Sequence, residues 1–142
     1  MRLFPVLLLG SVCALSACAW LQPGGAAARK VDFVTQVKPL LESRCLECHQ
    51  DTYVCAGLNL ETRQKAMKGG RAGPVILPGN PEGSLLYRVL FLGHDNPVAM
   101  PPTPERVEKE DLKTLHDWIA QGAVWPDGVR LVPPQEWAST GR

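Results

Sequence analysis

Two cysteines, Cys45 and Cys48, lie two residues apart in the stretch CLECHQ, and His49 follows directly. Three chemistries use thiols at this spacing: a zinc site, thiol–disulfide exchange, and covalent attachment of haem. Haem attachment asks that both thiols sit on one turn of chain, so that they add across two vinyl groups. The next residue, His49, is then placed under the iron as an axial imidazole. A sixth ligand must come from elsewhere, and a methionine thioether there raises the reduction potential, which suits electron transfer. There are three methionines. Met1 belongs to an N-terminal targeting segment, Met67 to a short helical pattern, and Met100 to a loop carrying Pro97, Pro101, Pro102 and Pro104. A loop stiffened by proline has less ordering entropy to lose when it presents a side chain. Met100 is therefore the expected sixth ligand, and Met67 is expected to fill core space. His94, six residues before Met100, makes bis-histidine ligation conceivable but reads as a surface histidine. His116 is expected at the edge of the last helix.

The rival chemistries lack their other parts. Zinc would need two ligands beyond the cysteine pair, for example Cys55 with His49 or His94, and the tight second Cys or His pair of a zinc ribbon is absent. An exchange site would place the pair at a helix start in a βαβ context. Here the pair follows a helical pattern and no alternating strand pattern appears.

The elements that must position these residues read as short helices joined by long connections. Phe33, Val34, Val37, Leu40 and Leu41 have helical spacing within Val31 to Arg44. Pro39 either falls in the first turn of a helix that starts near Lys38 or kinks a longer one. Either way the helix runs into Cys45 and delivers the cysteine pair at its C-terminal end. Gln50 to Leu60 reads as loop. A short helix is predicted over Thr62 to Lys68, with Thr62 as N-cap and Gly69 as stop. Asn80-Pro81-Glu82 is a helix start, and the apolar pattern continues to about Leu92. The last helix is predicted from near Glu108 to Gln121, with Leu112, Leu115, Trp118 and Ile119 on its buried stripe and Gly122 ending it. The fold class expected is all-α: a small helical domain with long Pro/Gly-rich loops, in keeping with 13 Gly and 13 Pro. A chain of 142 residues makes one domain, with a core modest enough to gain from a large bound cofactor.

The N-terminus reads as an export signal. Met1-Arg2 is followed by an apolar run, Leu3 to Leu15, of about 13 residues, too short to span a bilayer as a helix. Leu15-Ser16-Ala17-Cys18 resembles the lipobox of bacterial lipoproteins, which implies cleavage before Cys18 and a lipid on Cys18. Gln22 to Lys30 is Gly/Ala-rich and reads as a tether. The expected organisation is then residues 1–17 as signal, 18–30 as anchor and tether, 31–126 as the domain, and 127–142 as an irregular tail. The 15 basic and 14 acidic residues become 14 of each once Arg2 leaves with the signal. That balance, without a Lys/Arg run, gives nothing that argues for nucleic acid, and no nucleic-acid partner is expected. Of the five cysteines, Cys13 leaves with the signal, Cys18 takes lipid, and Cys55 is left over. No even-numbered disulfide framework remains.

The motifs VKPLLESRCLECH, GLNLETRQKAMKGGRAGPVILPGNPEGSLLYRVL, AMPP and LKTLHDWIAQGAVWP, in this order from about Phe33 to Pro126, together resemble a planctomycete-type cytochrome c domain. The resemblance implies one covalent haem c in a helical cytochrome c-like fold, with thioethers at Cys45 and Cys48, His49 proximal and Met100 distal. Gln50 departs from it, since the family often has Gly after the histidine. The function expected is that of an exported, membrane-anchored, monomeric electron carrier, not an enzyme, passing single electrons between partner redox proteins. It would sit on the periplasmic side of the cell envelope, with Ala19 after Cys18 hinting at the outer membrane. The alternative is a haem-based sensor of a gaseous ligand with a displaceable Met100.

Overall fold

The computed structural model describes residues 29–134, so Cys18 and the expected export signal lie outside the described residues. Four short α-helices are joined by irregular chain: α1 (Lys38–Arg44), α2 (Arg63–Lys68), α3 (Leu85–Arg88) and α4 (Lys109–Ala120). A two-stranded antiparallel hairpin, β1 (His49–Gln50) with β2 (Tyr53–Val54), follows directly on the cysteine pair. This corrects the all-α, cytochrome c-like expectation: the fold is a small mixed one. The hairpin occupies the stretch that reads as loop. Each strand has two residues, too few to register as alternation, and the turn Asp51-Thr52 lacks the glycine that marks most two-residue hairpins.

The first helical pattern is wound in two pieces. Asp32 caps a π-helical turn over Phe33–Val37, its carboxylate accepting from the Thr35 amide and hydroxyl at 2.8 Å each. α1 then begins at Lys38 with Pro39 in its first turn, where the missing N–H costs nothing. It ends at Cys45, whose amide donates to the Leu41 carbonyl at 3.1 Å. α2 carries the Thr62 cap on the Lys65 amide and stops at Gly69. Gly69 has φ of 79°, and a Cβ there would lie 2.1 Å from the Gly73 carbonyl oxygen, so no other residue fits.

The helix expected from Asn80 to Leu92 is much shorter than its apolar pattern. Asn80 does accept an amide, that of Gly83 at 2.8 Å, but this closes a turn rather than a helix. The fully buried Ser84 hydroxyl donates to the Asn80 carbonyl and accepts from the Leu77 amide, both at 2.8 Å. Local side-chain bonds of this kind compete with helix winding. α3 begins only at Leu85 and tightens into a 3₁₀ turn over Val89–Phe91.

The core gathers the apolar faces of the π turn, α1 and α4 around Phe33, Trp118 and Trp125. The Phe33 ring lies 4.2 Å from Trp125 and 5.7 Å from Trp118, centroid to centroid. Both indoles are satisfied, Trp118 donating to the Val124 carbonyl and Trp125 to that of Val129, each at 2.9 Å. These rings fasten the start of the domain to its last helix and to the chain beyond. Residues past Pro126 have no helix or strand among those described, yet Leu131 is 1% exposed and joins the same core.

Trp118→Ala should cost about 3–5 kcal/mol of unfolding free energy, read from a urea titration, because it empties a fully buried site. A second expectation concerns His116, which meets the Asp117 carboxylate at 3.0 Å and that of Glu82 at 3.2 Å. The Asp117 hydrogen bond raises its pKa above the ordinary 6.5; partial burial opposes this and Glu82 adds to it. The stabilisation is therefore complete below pH 6.5 and lost as pH rises through the higher folded value. The gap in urea midpoint between the wild-type chain and His116→Gln should be widest in acid and close on the alkaline side.

Candidate haem-attachment site

Between Cys45 and Cys48 the side chain of Leu46 is wholly buried in the core, and its amide donates to the Leu41 carbonyl at 3.0 Å. That anchor makes the chain turn between the thiols, and the Cys48 amide closes the turn on the Cys45 carbonyl at 3.3 Å. Both cysteines are free and half-buried. Burial pushes the Cys45 thiol up to about 12, against a small opposing pull from Arg44. Burial also raises the Cys48 thiol, and the neighbouring Cys55 adds to it. These are the reverse of a catalytic oxidoreductase site, where a thiol is held below its ordinary value so that it attacks other proteins' disulfides rapidly. Among the described residues no three His, Cys, Asp or Glu side chains converge as a metal site.

His49 sits on β1 at 8% exposure, its backbone carbonyl accepting from the Leu60 amide at 2.8 Å. Its Nδ1 is buried and has no hydrogen-bond partner. Burial lowers its pKa below 6.5, opposed by the backbone near Leu58 and Cys55, so the ring is neutral at pH 7. A neutral imidazole is the form that ligates a metal. Two neutral thiols on one turn and a neutral, under-satisfied imidazole on the next residue fit covalent haem. Exposed apolar side chains flank them: Tyr53 on the hairpin is 60% exposed.

The hairpin that carries His49 is held by charge. The Asp51 amide donates to the Glu61 carboxylate at 3.2 Å, and the Asp51 carboxylate accepts from Asn59 at 2.7 Å and from Lys65. Arg130 reaches both Asp51 and Glu61, while Leu131 donates its amide to the Glu61 carbonyl at 2.8 Å. Glu61 is 5% exposed, an unusual burial for a carboxylate, and it is paired as such burial requires. Sequence reasoning missed these positioning residues. Their signal was present in the polar Asn59 and Glu61 that interrupt an apolar run, GLNLE.

Met100 lies elsewhere, on the loop after α3. Its amide donates to the Val89 carbonyl at 3.0 Å, and its side chain is half-buried. Met67 instead packs against the core cluster. A cavity of about 430 Å³ runs along the Met100 loop, lined by His94, Asn96, Ala99 and four of the prolines. Cys45, Cys48 and His49 do not line it. Phe91 and Val98, both more than half exposed, flank this loop as Tyr53 flanks His49. Cys55, the leftover cysteine of the sequence, stands just past β2 beside Cys48, whose carbonyl accepts its amide at 2.9 Å.

Glu61→Ala should lower stability by about 1.5–3 kcal/mol, the worth of hydrogen bonds to a charged group, and should increase amide exchange at Asp51 and Leu131 together. Equal protection at those two amides in the variant would show that the hairpin is held by something else.

The family described as Planctomycete cytochrome C matches residues 45–104, a stretch that includes Cys45, Cys48, His49 and Met100. The match lies within the longer span over which the motifs show the resemblance. No curated protein and no solved structure matches the chain.

Proposed function

We propose that this chain, whose residues 45–104 match the family described as Planctomycete cytochrome C, is a cytochrome of that type and a carrier of single electrons between partner redox proteins. The family implies covalent haem c. On this reading Cys45 and Cys48 would attach one such group covalently, and His49 and Met100 would hold its iron. When bound, haem c supplies one-electron exchange between ferric and ferrous iron. The observation that carries the reading is the adjacency of two free, neutral thiols and a neutral buried imidazole within the matched stretch.

The chain's own residues divide the remaining work. Leu46 and the Cys45–Cys48 turn fix the separation of the sulfurs. The Glu61 network sets the angle at which the hairpin presents His49. The Val89 carbonyl ties down the backbone at Met100. The exposed apolar side chains Tyr53 and Val54 on the hairpin, and Phe91 and Val98 near Met100, support the reading, since a large apolar group bound there would cover apolar surface. No separate acid–base constellation accompanies the cysteine pair in the sequence, which favours a carrier over an enzyme. Export by residues 1–17, a lipid on Cys18 and a tether to Lys30 would hold the monomeric domain at the periplasmic face of the envelope, within reach of transient partners.

The test is the spectrum and potential of the full chain made with a haem c maturation system. One haem per chain and a low-spin spectrum in both oxidation states are expected. Met100→Ala should become high-spin when reduced, with a lower potential and rapid binding of carbon monoxide. A five-coordinate ferrous protein with Met100 intact would sink the carrier reading and support the gas-sensor one.

A further inference from the structure

Cys55 has no part in the function proposed above, yet the fold sets it against a residue that does. The hairpin register pairs His49 with Val54 and Gln50 with Tyr53. Just beyond the ladder the same register sets Cys48 opposite Cys55, and one bond holds them there: the Cys55 amide donates to the Cys48 carbonyl at 2.9 Å, while the Cys48 amide turns to the Cys45 carbonyl. Directly opposed residues of an antiparallel ladder carry their side chains on the same face, with Cα atoms about 5.5 Å apart in a hydrogen-bonded pair. Disulfides commonly bridge Cα atoms at about 5.5–6 Å. The Cys55 side chain is near enough to that of Cys48 to help raise its thiol pKa. Cys45 stands apart from the ladder, at the end of α1, separated from Cys48 by the buried Leu46.

We propose that, before haem is attached, Cys48 and Cys55 form a reversible cross-strand disulfide that withholds Cys48 from thioether formation while leaving Cys45 free. The bond itself stands on the hairpin geometry alone. Its consequence for haem attachment rests on the cytochrome reading.

The chemistry is thiol–disulfide exchange with a small-molecule disulfide such as glutathione disulfide as oxidant. One protein thiol loses its proton to water and attacks a glutathione sulfur. The glutathione S–S bond breaks, one glutathione leaves as thiolate, and a mixed disulfide remains. The second protein thiol, deprotonated in turn, attacks the protein sulfur of that mixed disulfide and expels the second glutathione. Two cysteine thiols are thereby oxidised to one disulfide, and one glutathione disulfide is reduced to two thiols. A dithiol reductant reverses both steps. Cys48 can then form its thioether, after which Cys55 is again a free thiol.

The test begins with the full chain made without haem maturation, equilibrated with glutathione disulfide and then alkylated. Cleavage after Glu47 and before Asp51 puts Cys45, Cys48 and Cys55 on three different peptides. A Cys48–Cys55 cross-linked peptide with alkylated Cys45 is expected. A Cys45–Cys48 link, any other pairing, or three alkylated cysteines would overturn the proposal. In a second arm, haem attachment per chain, read as pyridine haemochrome absorbance, should rise with added dithiol in the wild-type chain. That dependence should vanish in both Cys55→Ser and Cys55→Ala, and its persistence in either folded variant would overturn the proposed consequence. The two readings fail separately. A chain that shows the Cys48–Cys55 link but takes up no haem in any state sinks the cytochrome reading alone. A haem-loaded chain whose haem-free form links Cys45 to Cys48 sinks the disulfide alone.

Discussion

A single buried carboxylate organises the half of the molecule that carries the candidate site. Glu61 gives up nearly all contact with water, and burial of that kind is tolerable only with partners on every side. Its side chain takes the Asp51 amide and the Arg130 guanidinium, and its backbone carbonyl takes the Leu131 amide. The turn of the hairpin, the chain before α2 and the segment after α4 are thereby made to meet. Coulomb attraction sets the meeting point, and the apolar contacts of Leu60 and Leu131, both essentially without solvent exposure, make it dry. Without that point the two-residue strands would have no reason to persist, since an isolated hairpin of this length is marginal in water.

Above the clamp, burial rather than charge sets the chemistry of the site. The thiols are raised and the imidazole is lowered by the same cause, removal from water, so all three groups are held neutral. Neutral groups neither repel one another nor recruit counter-ions, and they can lie beside an apolar ring without a desolvation cost. Arg44 and Glu47 act on the thiols only weakly beside burial, and the other charged residues of the hairpin are paired within the clamp. Structure and reactivity are thus separated over one short hairpin, polar at its turn and apolar where it joins the cysteine pair.

What could be read from the sequence is local. Thr62 and Gly69 bracket α2, Glu108 and Gly122 bracket α4, and Pro39 marks the start of α1, because caps and stops act within one turn. The grouping of Cys45, Cys48 and His49 is local for the same reason. The hairpin escaped because its strands are shorter than any periodicity, so the helical reading of the whole fold was wrong. The helix at Asn80 was overextended because Ser84, fully buried, spends its hydroxyl on the Asn80 carbonyl and the Leu77 amide. The Glu61 clamp was invisible because its halves lie far apart: Arg130 is 69 residues from Glu61 and 79 from Asp51. No window-based pattern joins residues at such separations.

That separation has a meaning in time. A chain is made from its N-terminus, so His49 and Asp51 leave the ribosome well before Arg130 and Leu131 exist. At about 5–20 residues per second, the 79 residues between Asp51 and Arg130 represent several seconds of synthesis. Throughout that interval Glu61 lacks its guanidinium and stays in water, and the hairpin has only its nearer partners, Asn59 and Lys65. The cysteine pair is therefore made well before the residues that close the clamp on its hairpin.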